Sequence, residues 1–275
     1  MAGTAMTRTL QITQTDGLCH VVLDNAARCN ALTPDFVAGL TDLLQSFRLA
    51  TEDVPAAVIL SGVAPGPGPG FFCSGADLAD LSAASSGHYA ARRAGIDGLN
   101  ALMRAVRACP CPVIAAVEGG ADGAGVALAL ACDLIVADET SRFAATNITA
   151  GLTPDAGLTL FLSAGLPRWL VAEMLFTAGP VSASRLYDFG VVNRLVPAGD
   201  AVMAAKAVAA GLTSGARAAV RATKALLGQL PRTSFDDQLE AEADAFATAL
   251  GSPEGQTRLA SVLAMFETTE KDRLK

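Results

Sequence analysis

A chain of 275 residues with 51% hydrophobic content and only 17% charged residues has apolar surface for an extensive core. Its net charge of −7 argues against a nucleic-acid surface, which depends on a basic patch that neutralises phosphates, but leaves room for one small phosphorylated ligand. No apolar run reaches the roughly 18 to 20 residues of a spanning helix, because Glu118, Asp122, Asp133 and Asp138 interrupt the richest region, so a soluble protein with no membrane partner is expected.

The N-terminal MAGTAMTRTLQIT has neither the basic start and apolar h-region of a secretory signal nor the Arg-rich pattern of a transit peptide, and a cytoplasmic location is expected. Apolar or β-branched runs at 19–23, 57–60, 112–117 and 134–137 read as strands, most of them followed by helical periodicity. Thr33-Pro34 supplies an N-cap and an N1 proline for a helix over 36–47, with Phe36, Val37, Leu40, Leu43, Leu44 and Phe47 on one stripe. The segment APGPGPG at 64–70 cannot hold regular structure and reads as a surface loop bordering a site. Cys109 and Cys111 form a tempting metal pair. With His20 and His88 as the only histidines and no second cysteine pair, no metal is expected, and the six cysteines read as reduced, mostly buried hydrophobes. The pattern gives an α/β domain over 1–197, followed at 198–275 by a helical region with helices at 201–212, 216–230 and 235–250.

Three stretches carry chemistry: FFCSGADL (71–78), EGGADGAGVALALACDL (118–134) and NITAGLTPDAGLT (147–159). In the second, glycines lie between a strand and an Ala/Leu-rich helix, where outward N–H groups and the positive helix end favour anionic oxygen. Gly119, Gly120, Gly123 and Gly125 fit neither dinucleotide nor P-loop spacing, so the pattern alone leaves close packing and an anion site both open. The third stretch holds one ionisable group, Asp155, in an apolar neighbourhood. A buried carboxylate is costly unless paired. Asp155 therefore sits in a solvated turn, caps a helix beginning near Gly157, or lends a raised proton affinity to a reaction.

Together with NAARCNAL (25–32), PVIAAVEGGADGAGVALALACDLIVA (112–137), GLTPDAG (151–157) and FGVVNRLVP (189–197), these motifs make the chain resemble the enoyl-CoA hydratase/isomerase (crotonase) family from about Gln11 to Pro197. The resemblance implies a crotonase-like spiral of ββα repeats with a C-terminal helical region for trimer contacts, as a homotrimer or dimer of trimers. It implies an acyl-CoA thioester as substrate, coenzyme A entering as part of that substrate and no cofactor bound permanently. By motif position, the backbone N–H groups of Ala76 and Ala124 form an oxyanion hole; the family usually has Gly at the second place. Arg28, Ala31, Ser74, Gly75, Asp77 and Leu78 fall where the coenzyme A moiety is held. Asp77 and Asp133 also suit capping or local pairing, and that structural role is favoured for both.

The chain departs from a hydratase of this family at both glutamate positions, which are Ala127 and Asn147 here. Alanine cannot exchange a proton and an amide is a poor base, so Asp155 is left as the acid/base. Several isomerase-type members carry an Asp at its position, and one carboxylate suffices for an allylic double-bond shift. Asn147 then orients water or a polar substrate group. His88 and Tyr89 belong to a variable segment, where a lone histidine is more often a surface residue. The alternatives are a hydratase with an atypical site and a non-catalytic acyl-CoA-binding member.

Overall fold

The computed structural model describes residues 3–7, 10–50, 53–64, 70–230 and 232–273. The Pro/Gly loop expected at 64–70 lies, at 65–69, outside the described residues. The chain divides into two compact units, Met1–Thr213 and Ser214–Lys275.

In chain order the first unit runs β1 (Gly3–Thr7), β2 (Leu10–Thr15), β3 (Leu18–Leu23), α1 (Pro34–Leu49), β4 (Ala57–Gly62), α2 (Leu78–Ser85), α3 (Tyr89–Ala108) and β5 (Val113–Val117). It continues with β6 (Gly120–Asp122), α4 (Ala124–Ala131), β7 (Leu134–Asp138), β8 (Arg142–Ala144), α5 (Leu158–Gly165) and α6 (Arg168–Thr177). The last elements are β9 (Val181–Ser182), α7 (Ala183–Asp188), β10 (Arg194–Val196) and α8 (Ala201–Thr213). The described strands form a seven-stranded sheet in the order β1-β2-β3-β4-β5-β7-β10 and a small sheet in the order β6-β8-β9. From β3 onward the large sheet is parallel, while β1, β2 and β3 pair antiparallel.

The parallel strands are covered on both faces, which is why they read as continuous apolar runs. Their side chains still alternate: Val58 and Leu60 join the core built with α1, α3 and α4, whereas Ala57 and Ile59 face the opposite side. There Ala201, Ala205 and Ala209 of α8, one turn apart, pack against Ile59, Ile114 and Val136. The alanine face of α8 lies on the sheet, so the compact unit extends to Thr213. Thr33 caps α1 by accepting from Phe36 N with Pro34 at N1, as the motif implies. His88 is a structural residue, since its Nδ1 accepts from Ala91 N at 3.1 Å and caps α3.

The second unit holds α9 (Arg217–Gln229), α10 (Phe235–Gly251) and α11 (Pro253–Arg273). The last of these was not among the expected helices, although Ser252 accepts from Gly255 N at 2.9 Å and Pro253 opens the helix, a start signal visible in the sequence.

Candidate functional site

Three segments of the first unit meet through their backbones. The segment after Gly70 is bonded on one side to 118–122: Phe72 N donates to Gly120 O at 3.0 Å and Asp122 N donates to Cys73 O at 2.9 Å. On its other side Ser74 N donates to Cys29 O at 3.0 Å, and Leu32 N donates to Gly75 O at 2.7 Å. Gly75 is required here. Its φ is +85°, and a β-carbon on it would fall 2.6 Å from Asp122 O and 3.0 Å from Ala124 N. Gly125 is equally constrained, since a β-carbon there would meet Cys73 O at 2.2 Å. These close approaches seat the Gly75–Ala76 peptide against the start of α4. Ala124 is the first residue of α4, and its N-cap Gly123 gives no side-chain bond, so its N–H belongs to the first turn, where amides lack intrahelical partners, at the positive helix end. The turn and loop bonds among the described residues use neither the Ala76 nor the Ala124 N–H.

The residues expected to hold coenzyme A gather on the adjoining loops. Arg28 Nη1 donates to Asp77 Oδ2 at 2.7 Å, and Ser74 Oγ donates to Arg28 O at 3.1 Å. Asp77 is 4% exposed and caps α2 through Ala79 N and Asp80 N at 2.9 and 3.1 Å. Burial works to raise the Asp77 carboxyl, but the Arg28 guanidinium and the two amides outweigh it and hold it below the usual range. Arg28 itself remains half exposed. Ala31 is buried, while Leu78, at the first position of α2, is exposed. Asp133 accepts from Val113 N at 2.7 Å, the local structural pairing expected of it.

Asp155 is half-buried, and burial pushes its carboxyl up; the Asn147 amide and its own N–H pull weakly the other way. It does not cap a helix. The N-cap of α5 is Gly157, with no side-chain bond, and the turn is made by Ala156 and Gly157 at φ 51° and 80°. The left-handed alanine stores strain at this turn. Asn147 Nδ2 donates at 3.4 Å both to Thr153 O and to Asp155 Oδ1. Arg93, Ile96 and Asn100 of α3 and the turn around Asp155 line a cleft of about 350 Å³. Ala76 and Ala124 are not part of that lining. Asn147 connects the two places, because its Oδ1 lies 3.6 Å from where a β-carbon on Gly123 would stand. Ala127, which the resemblance sets at a hydratase glutamate position, is fully buried in α4.

A second carboxylate was missed. Asp122 ends β6, two residues before Ala124, and burial pushes its carboxyl up to about 6 while the Thr146 hydroxyl beside it works downward. Its Oδ1 is buried without a hydrogen-bond partner. The signal was available: Asp122, like Asp155, is an isolated acid among glycines and alanines. The thiol of Cys73 next to it is pushed up to about 12 by burial, so it does not serve as a thiolate. Among the described residues no cluster of His, Cys, Asp and Glu has metal-site geometry, and no helix is long and apolar enough to cross a membrane.

Comparison with known proteins places this geometry in context. Residues 13–272 match the family model for enoyl-CoA hydratase/isomerase. The chain is 29% identical to the crotonyl-CoA hydratase of Syntrophomonas wolfei, covering 90% of this chain and 91% of that one. It is 36% identical to the human mitochondrial enoyl-CoA hydratase domain-containing protein 2, over 76% and 70% of the two chains. The crystal structure of an enoyl-CoA hydratase from Polaromonas sp. superposes with a TM-score of 0.87 at 33% identity, covering 94% of this chain and 97% of that one.

Proposed function

The chain belongs to the enoyl-CoA hydratase/isomerase family, a crotonase-like enzyme family acting on acyl-CoA thioesters, and from that premise we propose that it moves a double bond with Asp155 as the single acid/base. One observation carries this reading: Asp155 lines a cleft with its proton affinity raised by burial, while both family glutamate positions lack a carboxylate. The thioester carbonyl is held by the N–H groups of Ala76 and Ala124. Asp155 removes a proton from C2 of a 3-enoyl thioester, the π electrons delocalise into a dienolate on the held oxygen, and the same carboxyl returns the proton at C4. Each donor in such a dry site contributes on the order of 3 kcal/mol to that charge. A raised proton affinity suits a group that must both take and give a proton near neutrality. Arg28, Ala31, Ser74, Gly75, Asp77 and Leu78 surround the coenzyme A moiety, with Arg28 the cation for its phosphates. Exposed Phe235, Phe246 and Leu263 in the second unit support self-association into trimers.

Asp155→Asn tests this. Double-bond migration on 3-enoyl thioesters is expected to fall by about a hundredfold or more, with acyl-CoA binding retained. An unchanged rate rejects Asp155 as the acid/base. Hydration is the second reading, favoured by Asp122 as a second carboxylate beside Ala124. Crotonyl-CoA hydration measured alongside separates the two, and turnover of neither substrate in wild type leaves the acyl-CoA-binding member.

A further inference from the structure

The segment Cys109-Pro110-Cys111-Pro112 joins the end of α3 to the start of β5, and the reaction at Asp155 makes no use of it. A residue before proline is driven out of the helical region, so α3 stops and Cys109 takes φ −57° and ψ 127°. In such an extended run, residues two apart project to the same side. Cys109 Sγ and Cys111 Sγ accordingly lie 3.6 Å apart, both buried. Pro110 fixes its own φ and restricts the residue before it, so the two thiols have little freedom to separate. Two residues of chain span about 7 Å at most, close to the roughly 4.4 to 6.8 Å that a disulfide bridges between α-carbons. The backbone therefore accommodates closure, and the sulfurs need only move from 3.6 Å to a bonded distance of about 2.0 Å. A third thiol, Cys19 on β3, is near enough to Cys109 to feel its charge, and burial pushes it up to about 12. Cys19 stays protonated, so it does not compete as the attacking thiolate.

We propose that Cys109 and Cys111 form a reversible disulfide site whose oxidant is a hydroperoxide. Cys109 reacts first. It is 2% exposed against 0% for Cys111, and a cleft of about 230 Å³ between α1 and α3, lined by Ala105 and Ala108, brings solvent to the helical turn before it. The Cys109 thiolate attacks one peroxide oxygen, the O–O bond breaks, and the second oxygen leaves and takes up a proton. The sulfenic acid left on Cys109 is then attacked by the Cys111 sulfur, the S–O bond breaks, and water departs with the Cys111 proton. Two thiols thus lose two electrons and two protons, and one hydroperoxide becomes an alcohol and a water, or two waters. The first step is slow because the pair is shielded, and the second is fast because its partner already stands at contact distance. The same α3 carries Arg93, Ile96 and Asn100, so the bond anchors the far end of the helix that forms one wall of the Asp155 cleft.

The test treats the full chain with excess hydrogen peroxide well past complete oxidation of exposed Cys29, while near-UV circular dichroism follows the fold. Samples are quenched in acid and denatured with N-ethylmaleimide, then reduced, labelled with iodoacetamide and sequenced by mass spectrometry. The expected result is iodoacetamide on Cys109 and Cys111 together, with a mass loss of about 2 Da that dithiothreitol reverses, before the dichroism changes. Maleimide still on both residues, a disulfide between Cys109 and Cys19, or closure only after the fold is lost overturns the proposal. Two variants then assign the order of attack. With Cys111→Ser, the sulfenic acid on Cys109 has lost its partner and is trapped by dimedone; with Cys109→Ser, Cys111 remains a thiol. Dimedone on Cys111 and none on Cys109 overturns the assignment of Cys109 as the reacting thiol. None of these readouts depends on which reaction Asp155 performs.

Discussion

Asp77 and Asp155 occupy two loops of the first unit, and their proton affinities move in opposite directions. Asp77 is the less solvent-exposed of the two, and a guanidinium and two helix amides hold it charged. Asp155 precedes a helix as well, but a left-handed turn carries it past the cap position, and a long bond from Asn147 does not offset its burial. Burial alone therefore does not distinguish a structural acid from a chemical one. The supply of donors does.

The largest way to break the satisfied region is Gly75→Ala. The new methyl meets Asp122 O and Ala124 N at a φ of +85°. Left-handed strain of about 1 to 3 kcal/mol adds to that clash, so a melting-temperature drop of several degrees with loss of acyl-CoA turnover is expected. A variant as stable and active as wild type removes the close approach on which the site's geometry rests.

Asp77→Ala is the intermediate case. It deletes the α2 cap, worth about 1 kcal/mol, and should show as reduced stability in urea at pH 7. Because the folded carboxyl is held below its unfolded value, its contribution is present above the ordinary carboxylate pKa and disappears as pH falls through the folded value. The gap between wild type and variant should therefore close in acid; a gap independent of pH contradicts the pairing.

The smallest effect sharpens the contrast from the other side. Burial raises Asp155 in the folded state, so the folded protein binds that proton more tightly and loses stability as pH rises from the unfolded carboxylate pKa through the folded one. Asp155→Asn should thus be slightly more stable than wild type at neutral pH, with no gain in strong acid where both states are protonated. Thermal melts across that range check the sign, and a destabilised variant at neutral pH would contradict it.

Much of this was legible in the amino-acid order. Thr33-Pro34 and the apolar stripe behind it placed α1, continuous runs placed β3, β4, β5 and β7, and local motifs identified the family. Such signals survive in sequence because they depend on neighbours within a turn or a strand. Less legible were the short strands β6, β8 and β9, whose pairing partners are distant in sequence. The attachment of α8 to the sheet was hidden too, since an alanine face records that something packs closely without recording what. Asp122 was passed over as a break in an apolar run. By itself, then, the sequence determined the element types, the family and which acids stand alone. Tertiary structure decided which of those acids finds donors, because Arg28 reaches Asp77 across 49 positions while Asp122 Oδ1 finds none, and no local pattern encodes the presence or absence of a partner so far along the chain.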